Sequence, residues 1–200
     1  TDQYLFFFEI AYIVSLNFKL RHICVFSIII LMKLNKNLIL IGMMASGKST
    51  IGKLLAKKLN LKFFDTDFII EKKTNMKIFQ LFEKKGEAIF RNLEKKITLS
   101  LLNKKSCIIS LGGGAFLDEK IRKATEKKGI TIWLNCKSKT IIDRIKKNSK
   151  RPIASNLSDN EIKDLLIKRS KFYSKAKYEI DCENMEKAQI VNKIIQILKI

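Results

Sequence analysis

Residues 42–49 have a composition and spacing that suit the binding of a phosphate chain. They read GMMASGKS, which fits the pattern G-x-x-x-x-G-K-[ST]. In such a loop, backbone N–H groups and the next helix N-terminus point at the phosphates, and Lys48 adds a mobile positive charge. The Ser49 hydroxyl is of the type that binds Mg²⁺ beside the phosphates. We therefore expect this loop to bind ATP and Mg²⁺. The contacting residues are Gly42, Ala45, Ser46, Gly47, Lys48, Ser49 and Thr50.

Two aspartates follow a short apolar run at 62–65. Asp65 closes that run, and Asp67 comes two residues later. The strand expected at 107–111 ends without the acid that usually organises the metal, so we expect Asp65 to do this with Ser49, through a metal-bound water. The structural alternative is that Asp65 caps a helix beginning at the next residue.

A second group of residues would line the cleft beyond the strand ends. Each is a weak signal alone, because arginines on helices are more often solvated charges and glycines in a row can form a simple turn. The group comprises Asp67, Arg91, Gly112, Gly113, Gly114, Arg151, Pro152 and Arg169.

Apolar periodicity supplies the elements that must position these residues. Strands are predicted at 37–41, 62–65, 107–111, 130–134 and 178–181. Helices are predicted at 49–59, 78–85, 87–103, 118–128, 140–147, 161–173 and 186–200. Short apolar strands that alternate with helices predict a five-stranded parallel sheet in a three-layer α/β/α fold. The polar segment at about 148–160 holds the only proline and predicts a mobile lid.

Composition limits the class of protein. The chain has 200 residues, 46% of them hydrophobic, which suits one α/β domain. The net charge of +21 would attract nucleic acid, but the lysines are spread along the chain with no basic stripe between aromatics, so we expect no nucleic-acid partner. The four cysteines form no C-x-x-C pair, which is typical of reduced thiols in a cytoplasmic protein.

Residues 1–31 differ from the rest of the chain. Two apolar runs, 4–18 and 23–31, are each shorter than the roughly 20 residues of a spanning helix. Met32 follows directly and offers a plausible start. We interpret 1–31 as a doubtful hydrophobic extension from upstream translation and 32–200 as the single domain; a membrane anchor is the alternative. The only histidine, His22, lies in this extension, so a general base in the domain must be a carboxylate or a lysine.

In combination, these motifs resemble the shikimate kinase family over 34–200. The segments are GMMASGKSTIG at 42–52, FFDTDFIIE at 63–71, GEAIFRNLE at 86–94, SLGGGAF at 110–116, KRP at 150–152 and KRSKFY at 168–173. The resemblance implies a nucleoside-monophosphate-kinase-like fold with a moving lid. It also implies ATP-dependent phosphorylation of the 3-hydroxyl of shikimate, a step toward chorismate and the aromatic amino acids.

The resemblance further implies roles for the acceptor residues. Asp67 would contact the ring hydroxyls and serve as the base, while Arg91 and Arg169 would hold the shikimate carboxylate. The three glycines at 112–114 would bring backbone close to the ring. A planar guanidinium can pair bidentately with a carboxylate, which suits both arginines.

On the nucleotide side, the resemblance implies that Arg151 reaches the phosphates from the lid and that Arg144 lies near the adenine. Two features depart from the family pattern: Ala45 stands where many such loops have glycine, and the adenine-side loop at 182–187 has no proline. A methyl group at position 45 narrows backbone freedom there.

Two other functions stay open from the residues alone. One is a P-loop kinase for gluconate or a nucleotide, and the other is a catalytically inactive relative that only binds ligands. We expect a monomeric cytoplasmic enzyme with shikimate as its partner and no membrane association.

Overall fold

A computed structural model describes residues 36–147 and 157–199. Five parallel strands lie in the order β2-β3-β1-β4-β5. They are β1 (Asn37–Ile41), β2 (Lys62–Asp65), β3 (Cys107–Ser110), β4 (Gly129–Asn135) and β5 (Tyr178–Asp181). The helices are α1 (Lys48–Leu59), α2 (Thr66–Thr74), α3 (Ile78–Leu102), α4 (Glu119–Lys128), α5 (Ser138–Lys146), α6 (Asp159–Tyr173) and α7 (Lys187–Leu198), with a short 3₁₀ helix at Ala115–Leu117. The predicted α/β fold with a five-stranded parallel sheet is confirmed.

The central strand, β1, is buried along its whole length. Ile39 pairs with Ile109 of β3 on one side and with Thr131 of β4 on the other. A strand covered on both faces has no polar side to present, which explains its continuous apolar sequence. Because β1 lies between the two halves of the sheet, its carboxyl end opens into the crevice where parallel α/β sheets bind their ligands.

Several boundaries differ from the sequence prediction. Helix α2 and the 3₁₀ turn were not predicted, whereas the predicted break in α3 is present at Gly86, which has φ 80° and ψ 164°. Ser158 caps α6, so Asp159 and Asn160 belong to this helix and not to the lid. The remainder of the proposed lid, 148–156, lies outside the described residues.

Within the described ranges, no helix is long and apolar enough to cross a membrane. The interpretations of residues 1–31, as an upstream extension or an anchor, fall outside those ranges.

Asn37 is a polar side chain at the buried start of the central strand. Its amide nitrogen donates to Leu102 O at 3.3 Å and to Lys104 O at 2.7 Å. Its Oδ1 accepts the Cys107 N–H at 3.3 Å and the Cys107 thiol at 3.1 Å. One side chain thus ties β1 to the end of α3 and to the start of β3.

We predict that Asn37→Ala lowers the free energy of unfolding by about 2–4 kcal/mol, because several buried backbone groups lose their partner at once. Urea denaturation measures this change. Asn135→Ala is the control, since that side chain makes an exposed bond to Glu179, and its effect should stay within about 0.5 kcal/mol. Equal losses in the two variants would contradict a structural role for Asn37.

Candidate active site

The loop after β1 leaves the sheet through a glycine. Gly42 has φ +139°, and a Cβ at this position would lie 2.8 Å from the carbonyl oxygen of Leu134. Gly47, at the start of α1, has φ +97°. Side chains rarely adopt these conformations, so both glycines are required for the loop to curl over the N-terminus of α1. The first N–H groups of α1, which have no partner within the helix, are the groups that such a loop directs at an anion.

Ala45 occupies the left-handed region with φ 61°. The sequence predicted that its methyl group would restrict the loop, and this conformation costs an L-residue about 1–2 kcal/mol. Its carbonyl oxygen accepts a hydrogen bond of 3.2 Å from Arg144 Nη1. The strained residue is therefore held from outside the loop by α5.

Lys48 lies inside the loop and is only 8% exposed. Its Nζ donates to Gly42 O and Met43 O, both at 2.9 Å. Lys48, Ser49 and Asp67 all line a cavity of about 410 Å³ in front of the loop. The ammonium group is thus positioned where a phosphate chain in that cavity would meet it.

Asp65 uses its two carboxylate oxygens for different purposes. Oδ1 accepts the N–H groups of Asp67 and Phe68 at 3.1 and 3.2 Å and so caps α2. Oδ2 accepts the Ser49 hydroxyl at 2.5 Å. The structural alternative from the sequence is therefore correct for one oxygen, while the other lies beside the loop.

The Ser49 hydroxyl oxygen and Asp65 Oδ2 fit Mg²⁺, which prefers hard oxygen ligands. Mg²⁺ usually takes only one or two of its ligands from the protein. Among the described residues there is no cluster of three or more His, Cys, Asp or Glu side chains that could form a cage for a metal. Such a cage is not needed when phosphates supply the other ligands.

Gly112 and Gly114 bring the acceptor residues against the backbone. A Cβ on Gly112 would overlap Glu94 Oε1 and lie 2.6 Å from Asp67 Oδ1. A Cβ on Gly114 would lie 2.7 Å from Cζ of Arg91. Any side chain at either position would displace these charged groups, so their close approach to the backbone depends on the two glycines.

Gly113 joins the acceptor side to the phosphate loop. A Cβ there would lie 3.1 Å from Arg169 Nη1 and 3.4 Å from the backbone nitrogen of Met44. Its carbonyl accepts the hydroxyl of Tyr173, a fully buried side chain that packs on Trp133. Arg169 and Tyr173 are four residues apart on α6, so one helix face fixes both contacts.

Arg91 is held on several sides. Nη1 donates to Glu94 Oε2 at 2.7 Å, and Nε and Nη2 donate to Glu87 Oε1 at 3.1 Å. The guanidinium lies over Phe90, 5.0 Å from the ring centroid, and near Phe82 at 5.9 Å. Burial opposes its charge, but the charges and hydrogen bonds of Glu94 and Glu87 outweigh this and raise the pKa of Arg91.

Glu94 is the most buried charge of the group, at 2% exposure. Burial raises its pKa, although the charges of Arg91 and Arg169 act in the opposite direction. Within the described part of the chain, Glu94 Oε1 and Arg169 Nε are buried atoms without a hydrogen-bond partner. Buried polar atoms of this kind call for a partner, which a polar ligand beside the glycines would provide.

The structure thus brings together nearly all the residues singled out from the sequence. Arg144 lies at the phosphate loop, and Arg151 lies outside the described residues. Sequence reasoning assigned no role to Glu94 or Tyr173. The available signal was helical spacing, since each lies three or four residues beyond a singled-out arginine.

A strand–loop–helix phosphate site next to a charged, glycine-lined cleft defines a P-loop phosphotransferase. A family model described as shikimate kinase matches residues 44–199. The chain belongs to the shikimate kinase family, and it is an enzyme, a kinase that uses ATP.

Individual relatives agree with this assignment. The shikimate kinase of Sulfurihydrogenibium sp. (strain YO3AOP1) is 39% identical over 164 residues, which cover 82% of this chain and 98% of that protein. That of Persephonella marina is 41% identical over 160 residues, covering 80% and 97%. The structure is similar to shikimate kinase from Acinetobacter baumannii in complex with shikimate, with a TM-score of 0.78, 30% identity and coverage of 82% and 93%.

We predict that Glu94→Gln changes the pH dependence of stability. Because burial raises the pKa of Glu94 in the folded protein, the folded state binds this proton more tightly than the unfolded chain. Relative to the variant, the wild-type free energy of unfolding should therefore fall as the pH rises from the ordinary value of 4.5 through the higher folded pKa.

Urea denaturation across the acid-to-neutral range measures this difference. Ser174→Ala is the control, since it removes no titratable group and that hydroxyl makes only an exposed bond to Lys171 O, so its profile should stay parallel to the wild type. Parallel profiles for Glu94→Gln as well would contradict a buried, shifted carboxyl.

Proposed function

We propose that this kinase transfers the γ-phosphate of ATP to the 3-hydroxyl of shikimate, giving shikimate 3-phosphate on the route to chorismate and the aromatic amino acids. The observation that carries the proposal is the convergence of Asp67, Arg91 and Arg169 on the backbone at 112–114. Gly113 abuts Met44 of the phosphate loop, so the acceptor and donor sites share a wall.

The acceptor chemistry follows from these charges. Two guanidinium groups from different helices match one carboxylate and can each pair with it bidentately. Asp67 would orient the attacking hydroxyl and receive its proton. Phosphoryl transfer has a loose transition state, so positioning and charge neutralisation dominate over strong base catalysis. Gluconate also has a carboxylate and hydroxyls, so the contact with two arginines does not by itself exclude it.

For the donor, we propose that the loop residues 42–50 bind the phosphates, with Lys48 on the β- and γ-phosphate oxygens. The adenine would lie between Arg144 and Met185, which both line a second cavity of about 650 Å³. The adenine-side loop has no proline, and the polarisable side chain of Met185 lines this cavity. Arg151 is assigned to the phosphates by resemblance alone.

We further propose that Ser49 and Asp65 hold Mg²⁺ with the phosphates. The ion would supply charge neutralisation on the phosphate oxygens, which the loop N–H groups and Lys48 supply in part. A monomeric state, a cytoplasmic location and the absence of nucleic-acid or membrane partners stay predictions from the sequence.

A coupled assay for ADP release tests the function directly. Shikimate should support turnover, while gluconate and nucleoside monophosphates should not. Lys48→Ala is the control for background ATPase activity and should be inactive yet folded. Preferred turnover of gluconate or a nucleotide would indicate a different kinase, and no turnover with any acceptor would indicate an inactive relative.

We predict that Arg169→Ala raises the KM for shikimate with little effect on nucleotide binding. The substrate carboxylate would keep half of its charged partners, a loss on the order of 2–4 kcal/mol. Arg169→Lys should restore binding only in part, because an ammonium lacks the planar fork.

A shikimate analogue with an amide in place of the carboxylate separates this coupling from general damage. The amide should be a poor substrate for the wild type but should be penalised much less by Arg169→Ala. If both enzymes discriminate acid from amide equally, Arg169 does not bind the carboxylate.

We predict that Asp65→Asn retains stability but loses activity. Asparagine caps a helix about as well as aspartate, so α2 should keep its cap. The loss of the carboxylate beside Ser49 should lower activity about 10- to 100-fold and raise the Mg²⁺ concentration needed for half-maximal rate.

Asp118→Asn provides the matched control, because Asp118 likewise caps a helix, accepting the Ile121 N–H at 3.0 Å. Its Mg²⁺ dependence should equal that of the wild type. A wild-type Mg²⁺ response in Asp65→Asn would remove Asp65 from the metal site.

A further inference from the structure

Two cysteines lie side by side where β4 and β5 end. Asn135 of β4 pairs with Asp181 of β5. The residue that follows each of them in the chain is a cysteine, Cys136 after β4 and Cys182 after β5. The Cys182 N–H donates to Asn135 O at 2.8 Å, which continues the parallel ladder to this pair. Neighbouring strands lie about 4.8 Å apart, within the range of roughly 4.4–6.8 Å between the Cα atoms of a disulfide.

The side chains of paired positions point to the same face of a sheet, so the two thiols are neighbours. The Cys182 thiol donates to Ile180 O at 3.4 Å. Both cysteines are buried, with 4% of Cys136 and 5% of Cys182 exposed. Both are free thiols. The backbone spacing of two positions paired in this way lies within the range that a disulfide can bridge.

The environment makes the two sulfur atoms unequal. The neighbouring Cys182 thiol lowers the pKa of Cys136; burial opposes this, and the charges of Arg144 and Lys48 add to it. The Cys136 sulfur and burial raise the pKa of Cys182. Cys136 is thus suited to act as the thiolate nucleophile and Cys182 as the thiol that resolves the product.

Cys136 also contacts the phosphate loop. Its thiol donates to Ser46 O at 3.6 Å, and Arg144 Nη1 lies 3.9 Å from its sulfur. Ser46 and Arg144 both line the 410 Å³ cavity in front of the loop. A reagent about the size of water that enters this cavity therefore reaches two residues that contact the Cys136 sulfur atom.

Cys107 offers a contrast within the same fold. It lies at the opposite, amino end of β3, its thiol donates to Asn37, and burial raises its pKa to about 11. The charge of Lys104 acts in the opposite direction but does not outweigh burial, so this thiol is less reactive. Burial alone therefore does not make a cysteine of this protein reactive.

We propose that Cys136 and Cys182 form a dithiol modification site that hydrogen peroxide converts to a disulfide, weakening nucleotide binding at the adjoining loop. In the first step, the Cys136 thiolate attacks one peroxide oxygen; the O–O bond breaks, and with one proton the products are Cys136 sulfenic acid and water. In the second, the Cys182 sulfur attacks the sulfenic sulfur, and its proton leaves with the hydroxyl as a second water. Two thiols are oxidised and one peroxide is reduced, and an added thiol reductant reverses the change.

The effect on the nucleotide follows from the lost contacts. A disulfide leaves Cys136 without a proton to donate to Ser46 O, and it changes the sulfur atom that lies 3.9 Å from Arg144 Nη1. Arg144 also holds the carbonyl of Ala45, the strained residue of the loop. We expect ATP binding to weaken about tenfold, the scale of one hydrogen bond to a charged group. This last step rests on the proposed nucleotide site, whereas disulfide formation does not.

The test uses the full chain with Cys24→Ser in every variant, because Cys24 lies outside the described residues. After hydrogen peroxide treatment, intact mass should fall by two hydrogen atoms, and proteolysis should yield a linked peptide pair containing Cys136 and Cys182. Cys107→Ser should behave in the same way. Cys136→Ser and Cys182→Ser should form no such link. A folded protein that keeps both thiols, or that links Cys107, overturns the proposal.

Equilibrium binding of ATP then measures the consequence without reference to any acceptor. The oxidised protein should bind about tenfold more weakly than the reduced protein, and dithiothreitol should restore binding. Peroxide-treated Cys182→Ser should keep its affinity once sulfenic acid is reduced. If the protein with a complete Cys136–Cys182 disulfide binds ATP as tightly as the reduced protein, the proposed effect on nucleotide binding is wrong. This outcome does not depend on whether shikimate is the acceptor.

Discussion

The close approach of Gly42 to the carbonyl of Leu134 is the constraint on which the rest of the site depends. The central strand must leave the sheet here without colliding with β4, and only a residue without Cβ can do so at φ +139°. The turn that follows brings the α1 N-terminus and Lys48 to face one cavity. The proposed anion binding by this loop thus follows from how the strand ends, since the N–H groups and the ammonium converge at this point.

In the proposed acceptor half, the energetic cost of burying charged side chains is offset by the attraction between them. Glu94 is almost fully buried, which would be costly for an isolated carboxylate, and Arg91 offsets this by a direct ion pair. In return, the Glu94 carboxylate, together with Glu87, fixes a guanidinium that is itself 36% exposed. The glycines at 112–114 then let both groups touch backbone. Glu94 Oε1 and Arg169 Nε are left with unused hydrogen-bonding capacity beside this backbone, as the proposed site for a small polar acid requires.

The features that could be predicted from the sequence are those that depend on residues close together in the chain. The phosphate loop follows from glycine and lysine spacing, and the strands follow from apolar runs that only a doubly covered sheet explains. Helix α2 was missed because only Thr66 and Ile70 of its residues are buried, so it has almost no apolar periodicity. The burial of Glu94 was not predictable, since a glutamate on a helix reads as a solvated charge until the neighbouring loop is known. The two uses of Asp65 were posed as alternatives because a sequence does not show that its oxygens face different partners.

Donor and acceptor sites are joined by one rigid frame, and this explains why so few residues can position both. Tyr173 binds the Gly113 carbonyl and packs on Trp133, and Trp133 lies 3.4 Å from where a Cβ of Gly42 would be. Arg169 extends from the same helix as Tyr173, so a shift of α6 would move the acceptor arginine and the wall of the phosphate loop together. In-line transfer requires the two substrates to be held within a few tenths of an ångström of a productive geometry. A shared buried frame meets this requirement. A displacement of one site moves the other site with it, so the position of the two substrates relative to one another is preserved.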